Sequence, residues 1–177
     1  HSHNRTPGWR MTGMSAAPTW PKPKRSVILI VDDSPLNIDL LAELLGEDNE
    51  IIFATNGAEA LGLAETQSPE LILLDVMMPD MDGFQVCEAL KNNPLTKSIP
   101  VIFVSSMTEE ADEKRGLDLG GIDYIFKPIR GAVVRARVRN HLELSRYRER
   151  LEHLSATDGL TAIANRRCFD EALQREW

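Results

Sequence analysis

Leu71-Ile72-Leu73-Leu74-Asp75-Val76-Met77-Met78-Pro79 is the stretch that decides the fold of this chain. Four bulky aliphatic residues run into one carboxylate, and a proline-containing turn follows. A short unbroken apolar run closed by turn residues predicts a strand covered on both faces, the middle of a parallel sheet. Asp75 then stands at the strand's carboxyl end, where open α/β sheets place their ligand crevice. A single Asp there also reads as a turn former. A chemical role for it requires other polar groups at the same edge.

Working outward, Ser26-Val27-Ile28-Leu29-Ile30-Val31 is a second apolar strand, and it ends in Asp32-Asp33-Ser34-Pro35. Ser34 suits a helix N-cap and Pro35 the first helical turn. Leu36, Leu40, Leu41, Leu44 and Leu45 follow helical spacing, with Gly46 as a stop. Glu50-Ile51-Ile52-Phe53-Ala54 is a shorter strand, and Asn56-Gly57 opens a helix through Ala60, Leu61 and Ala64. Beyond the central strand, Phe84, Val86, Cys87 and Leu90 mark a helix stopped by Asn93-Pro94. A fourth strand, Ile99-Pro100-Val101-Ile102-Phe103-Val104, ends in Ser105-Ser106, and a helix over about 109–119 stops at Gly120-Gly121. The fifth strand, Ile122-Asp123-Tyr124-Ile125-Phe126, ends in Lys127-Pro128. Five strands alternating with helices through short connections predict βαβ units, a parallel doubly wound α/β sheet and right-handed crossovers.

Composition narrows the classes. With 42% hydrophobic residues the chain can fill a core. A net charge of −7 argues against a chain-wide surface for nucleic acid or anionic membrane. Two cysteines, Cys87 and Cys168, have neither metal spacing nor a disulfide framework, so a cytoplasmic setting is expected. No apolar run approaches the ~20 residues of a membrane span. Residues 1–25 lack periodicity; His1-Ser2-His3 resembles the end of a purification tag, with Met11 or Met14 as a natural start.

Asp32, Asp33, Asp75, Ser105 and Lys127 all reach one edge of the sheet if the strands are parallel. Three carboxylates packed together repel one another and favour a hard cation such as Mg2+. A carboxylate such as Asp75 can then attack phosphorus and form an acyl phosphate. Lys127 supplies a mobile positive charge for phosphate oxygens, and Ser105 a hydroxyl donor.

Residues 26–142 resemble the receiver domain of two-component response regulators. The resemblance is carried by the pair Asp32-Asp33, by Asp75, by Ser105 and by Lys127-Pro128, with the family's spacing kept between the last three positions. It implies a flavodoxin-like sheet of order 2-1-3-4-5 and phosphorylation of Asp75 by a sensor histidine kinase or phosphotransfer protein. It implies Mg2+ held by Asp33, Asp75 and the Met77 backbone carbonyl, with Asp32 acting partly through water. It also implies a cis Lys127-Pro128 peptide and a switch pair of Ser105 and Tyr124, with the small Ser106 leaving phosphate access open.

After Ile129 the pattern turns helical and stays so. Val133, Val134, Val138 and Leu142 suit packing on the sheet. Leu144, Tyr147, Leu151 and Leu154 step at coiled-coil spacing, so 143–157 is expected to form a dimerising stalk. Asp158-Gly159-Leu160-Thr161-Ala162-Ile163-Ala164-Asn165-Arg166-Arg167 resembles the opening of GGDEF domains, which make cyclic di-GMP from two GTP molecules. That resemblance implies a guanine contact for Asn165, and it makes 158–177 a truncated GGDEF start without the catalytic loop. The expected protein is a receiver controlling a diguanylate cyclase, and this portion is not itself an enzyme. The rivals are a receiver for a DNA-binding regulator and a stand-alone phosphate shuttle.

Overall fold

In a computed structural model, residues 25–106 and 109–173 are described, with side chains as far as Glu152. The element order is β1 (Ser26–Val31), α1 (Pro35–Leu45), β2 (Asn49–Ala54), α2 (Gly57–Gln67), β3 (Leu71–Asp75), α3 (Gly83–Asn92), β4 (Val101–Ser105), α4 (Glu110–Asp118), β5 (Asp123–Phe126) and α5 (Gly131–Leu173). The strands form one sheet in the order β2-β1-β3-β4-β5, and every pairing is parallel. The doubly wound sheet expected from the alternating apolar runs is therefore present.

Successive strand residues point to opposite faces, and both faces are covered. Ile28, Ile30, Leu71, Leu73, Ile102 and Val104 pack against α1 and α5. Leu29, Val31, Ile72, Leu74, Val101 and Phe103 pack against α2 and α3. Every residue of β3 and of β4 is buried. Burial of that kind stabilises by roughly 25 cal/mol per Å2 of apolar surface removed from water. It fixes strand register, because a slip of one residue would exchange the two faces.

Local signals place the helix starts. Asn56 caps α2 by accepting from the Glu59 N–H at 2.9 Å. Asp82 and Gln85 form a reciprocal capping box at the start of α3. Ser34 occupies the cap position of α1 but makes no side-chain cap. Its backbone N–H donates to Asp32 Oδ1 at 2.9 Å instead, which ties the helix start to the acidic pair.

The helix α5 extends further than expected, because its backbone stays helical past Gly159 to Leu173. Val134, Val138 and Leu142 bury its first turns against the sheet. Asp123 accepts from Arg137 and pairs with His141 Nε2 at 3.0 Å, while Arg146 donates to Ser26 Oγ at 2.7 Å. These contacts anchor α5 to the edge of the sheet opposite the strand tips. Leu144, Tyr147 and Leu151 stay exposed beyond them. The expectations for the side chains of Leu154 and Asn165 lie outside the described side chains, and those for residues 1–24 outside the described residues. Among the described residues, no helix is long and apolar enough to cross a membrane.

Candidate phosphoacceptor site

The strand tips deliver a cluster of charge. Asp75 is the last residue of β3 and is 3% exposed. β1 ends one residue before the acidic pair, whose two members differ in burial: Asp32 is buried and Asp33 is exposed. Asp32, Asp33 and Asp75 each offer a carboxylate oxygen, and these oxygens lie within 4.8 Å of one another. Ser105 ends β4 and is fully buried, one register step beyond the residue paired with Asp75. Its carbonyl accepts from the Lys127 backbone N–H at 2.8 Å, which carries the β5 exit to the same edge.

Lys127 reaches back across the cluster. Its Nζ stands 3.0 Å from Asp32 Oδ2 and 3.3 Å from Asp75 Oδ2. The Lys127-Pro128 peptide is cis. Burial alone would lower the Lys127 pKa, but hydrogen bonding to Asp32 and the charges of Asp75 and Asp32 outweigh it and raise the pKa. The ammonium is therefore retained. Asp75 is shifted toward its neutral form. Burial, then the Asp32 charge, raises its pKa above the ordinary carboxylate value, against the opposing pull of Lys127 and the Met77 N–H.

The backbone around Asp75 is tightly enclosed. The Met77 N–H points to Asp75 Oδ1 at 3.3 Å, and the Gly83 N–H donates to the Val76 carbonyl at 3.0 Å. A Cβ on Gly83 would lie 2.2 Å from the Asp75 carbonyl oxygen, so only glycine lets α3 start here. Asp80 turns the intervening loop with a φ of 66°, a conformation that Asp tolerates better than most residues.

A hard cation fits this donor set. Three carboxylates and one ammonium leave a local charge near −2, and oxygen donors suit Mg2+. Asp33 has no hydrogen-bond or ion-pair partner among the described residues, so its carboxylate is open to a ligand. The side chain of Met77 is exposed at the rim.

Tyr124 lies under the β4–β5 part of the site. It is buried in an aromatic row, with ring centroids 5.9 Å from Phe103 and 5.0 Å from Phe126. No described atom meets its hydroxyl at full hydrogen-bond geometry. Burial raises its pKa; a partial interaction with Ser105 opposes this, and the Asp112, Glu113 and Asp75 charges add to it.

One residue of this site was missed in the sequence. Asn37, in the first turn of α1, donates from Nδ2 to both carboxylate oxygens of Asp32, at 3.1 and 3.0 Å. Its spacing of five from Asp32 is the only signal, and spacing across a strand–helix turn carries little.

Comparison with known proteins converges on one family. The sequence profile of the response regulator receiver domain matches residues 28–139. Response regulator PleD of Caulobacter vibrioides is 45% identical over 114 residues, covering 64% of this chain and 25% of that protein. The alkaline phosphatase synthesis transcriptional regulatory protein PhoP of Bacillus subtilis is 41% identical over 119 residues, covering 67% of this chain and 49% of that protein. The chain thus spans a quarter to a half of these relatives. Among solved structures, the receiver domain of a signal transduction histidine kinase from Syntrophus aciditrophicus is similar, at 36% identity and a TM-score of 0.62. That match covers 67% of this chain and 90% of the other.

Proposed function

The chain belongs to the response regulator receiver domain family, and from that premise we propose that Asp75 is its phosphoacceptor. Receiver domains act in two-component signalling with sensor histidine kinases or phosphotransfer proteins, and they bind Mg2+ at an acidic pocket. A receiver domain is not itself an enzyme.

The observation that carries this reading is the placement of Lys127 Nζ between Asp32 and Asp75, with Asp33 open beside them. An Asp75 carboxylate oxygen attacks the phosphorus of a phosphohistidine, an O–P bond forms, and the P–N bond to the donor imidazole breaks. Asp33, Asp75 and the Met77 carbonyl would hold Mg2+, with Asp32 acting partly through water. When bound, the ion neutralises charge on the phosphoryl oxygens. Lys127 gives up its contact with Asp75 for one with the new phosphoryl group. Ser105 turns its hydroxyl toward that group, and Tyr124 follows into the space released. Phosphorylation adds roughly −1.5 to −2 charges at this edge. The test is labelling with acetyl phosphate in Mg2+: the wild-type chain takes up label and Asp75→Asn does not. Equal labelling of the two refutes the assignment.

For output, we infer a diguanylate cyclase under receiver control, working in the cytoplasm. Support comes from the Asn-Arg-Arg stretch at Asn165, which resembles the opening of GGDEF domains. The exposed stripe Leu144, Tyr147 and Leu151 supports a homodimer through α5. GTP would be the substrate only of the intact protein. The similarity to PhoP favours a second reading, a DNA-binding regulator. Conversion of GTP to cyclic di-GMP by the full-length protein separates them: product supports the cyclase, and operator binding without product supports the regulator.

A further inference from the structure

The two neighbouring acids on β1 differ in more than exposure. Asp32 is 1% exposed, and its carboxylate is saturated with donors. Oδ1 accepts from the Ser34 N–H at 2.9 Å and from Asn37 Nδ2 at 3.1 Å. Oδ2 accepts from the same Asn37 nitrogen at 3.0 Å and from Lys127 Nζ at 3.0 Å. Among the described residues, Asn37 is the one group that bridges both oxygens, and it thereby sets the plane of the carboxylate. Only the N–H side of an amide can face two carboxylate oxygens, so the orientation of Asn37 follows from chemistry.

We propose that Asn37 is a positioning residue for phosphoryl transfer: by bridging the Asp32 oxygens it fixes that carboxylate as the anchor of Lys127 and leaves Asp33 and Asp75 to the cation. This rests on the reading of Asp75 as phosphoacceptor. An amide suits the task because it donates without carrying charge. The pocket keeps its excess of negative charge for a divalent ion, which a lysine or arginine at position 37 would cancel. Without the amide, Asp32 keeps only Ser34 and Lys127 as partners among the described residues. It can then turn toward the ion, and it draws Lys127 away from Asp75 as it does so. The two effects have opposite signs. A less saturated carboxylate is a better cation ligand, whereas a displaced Lys127 serves the phosphoryl group poorly.

The experiment uses the whole chain as wild type, Asn37→Ala and Asn37→Asp. Mg2+ affinity is measured by calorimetry, acetyl phosphate labelling rate at saturating Mg2+ and donor, and melting temperature without ion. Asn37→Ala is expected to label about tenfold more slowly, the usual scale for a residue that orients a metal-site carboxylate, with Mg2+ affinity equal or tighter. Asn37→Asp is expected to bind Mg2+ more tightly than wild type and still label slowly. Wild-type labelling rates in Asn37→Ala overturn the inference, as does a joint fall of ion affinity and melting temperature in both variants, which marks a purely structural role. A wild-type chain that takes no label overturns the Asp75 reading, and this inference with it.

Discussion

Lys127 Nζ stands 3.3 Å from Asp75 Oδ2 and holds it in an ion pair. The same ammonium is 3.0 Å from Asp32, so in the proposed reaction it competes with a divalent ion for Asp75 and shifts when a phosphoryl group arrives.

Replacing that ammonium should therefore act on binding and chemistry in opposite directions. Lys127→Met is expected to tighten Mg2+ binding, because a competing cation is gone. It should slow acetyl phosphate labelling by about a hundredfold, the scale for losing one group that stabilises developing negative charge. Calorimetry and labelling on the same preparation check both; a loss of Mg2+ binding would contradict the competition.

Asp75 makes the ion-free protein pH-sensitive. Its pKa in the fold is raised above the ordinary 3.8 by burial, then by Asp32. A raised carboxylate favours the fold below its unfolded pKa, and that contribution is lost as pH rises through the folded value. Asp75→Asn removes this effect. Without Mg2+, the variant should melt above wild type at pH 7, and the difference should narrow as the pH falls toward 3.8. Melting curves across pH in a chelating buffer decide it; a gap that widens on acidification refutes the sign.

Gly83 sets how close α3 can approach the end of β3. In Gly83→Ala, the new methyl carbon would meet the Asp75 carbonyl oxygen at 2.2 Å and the Val76 Cα at 2.8 Å. Backbone has to move, so a loss of about 1–3 kcal/mol is expected from overpacking. Urea unfolding measures it, and slower labelling should accompany it because Asp75 is displaced with its strand end.

Tyr124 offers a contrast between a ring and its hydroxyl. The ring fills space between Phe103 and Phe126, whereas the hydroxyl is buried without a full hydrogen bond among the described residues. Tyr124→Phe should change folding stability by less than about 1 kcal/mol, and Tyr124→Ala should cost about 3–5 kcal/mol from the cavity. If switching uses the hydroxyl, Tyr124→Phe will retain labelling while the response of the α4 and β5 face to beryllofluoride is lost, as hydrogen exchange can read.

Much of this protein could be read along the chain. Leu71 to Leu74 and Val27 to Val31 are continuous apolar runs, and such runs are stable only when both faces are covered. The parallel sheet and its helices follow from them. Asp32, Asp33, Asp75, Ser105 and Lys127 were visible as a group because each ends or follows a strand, and a parallel sheet gathers strand ends. Tertiary structure alone decided how those groups share the work. It buried Asp32 and exposed Asp33, placed Lys127 between two acids, and brought Asn37 onto Asp32. It also joined Ser26 to Arg146, 120 residues away, and Asp123 to Arg137 and His141, so that α5 starts from a fixed base. The physical reason is range. Burial pattern repeats with the local period of a strand or helix, whereas a hydrogen bond between distant residues depends on distances that no local period contains.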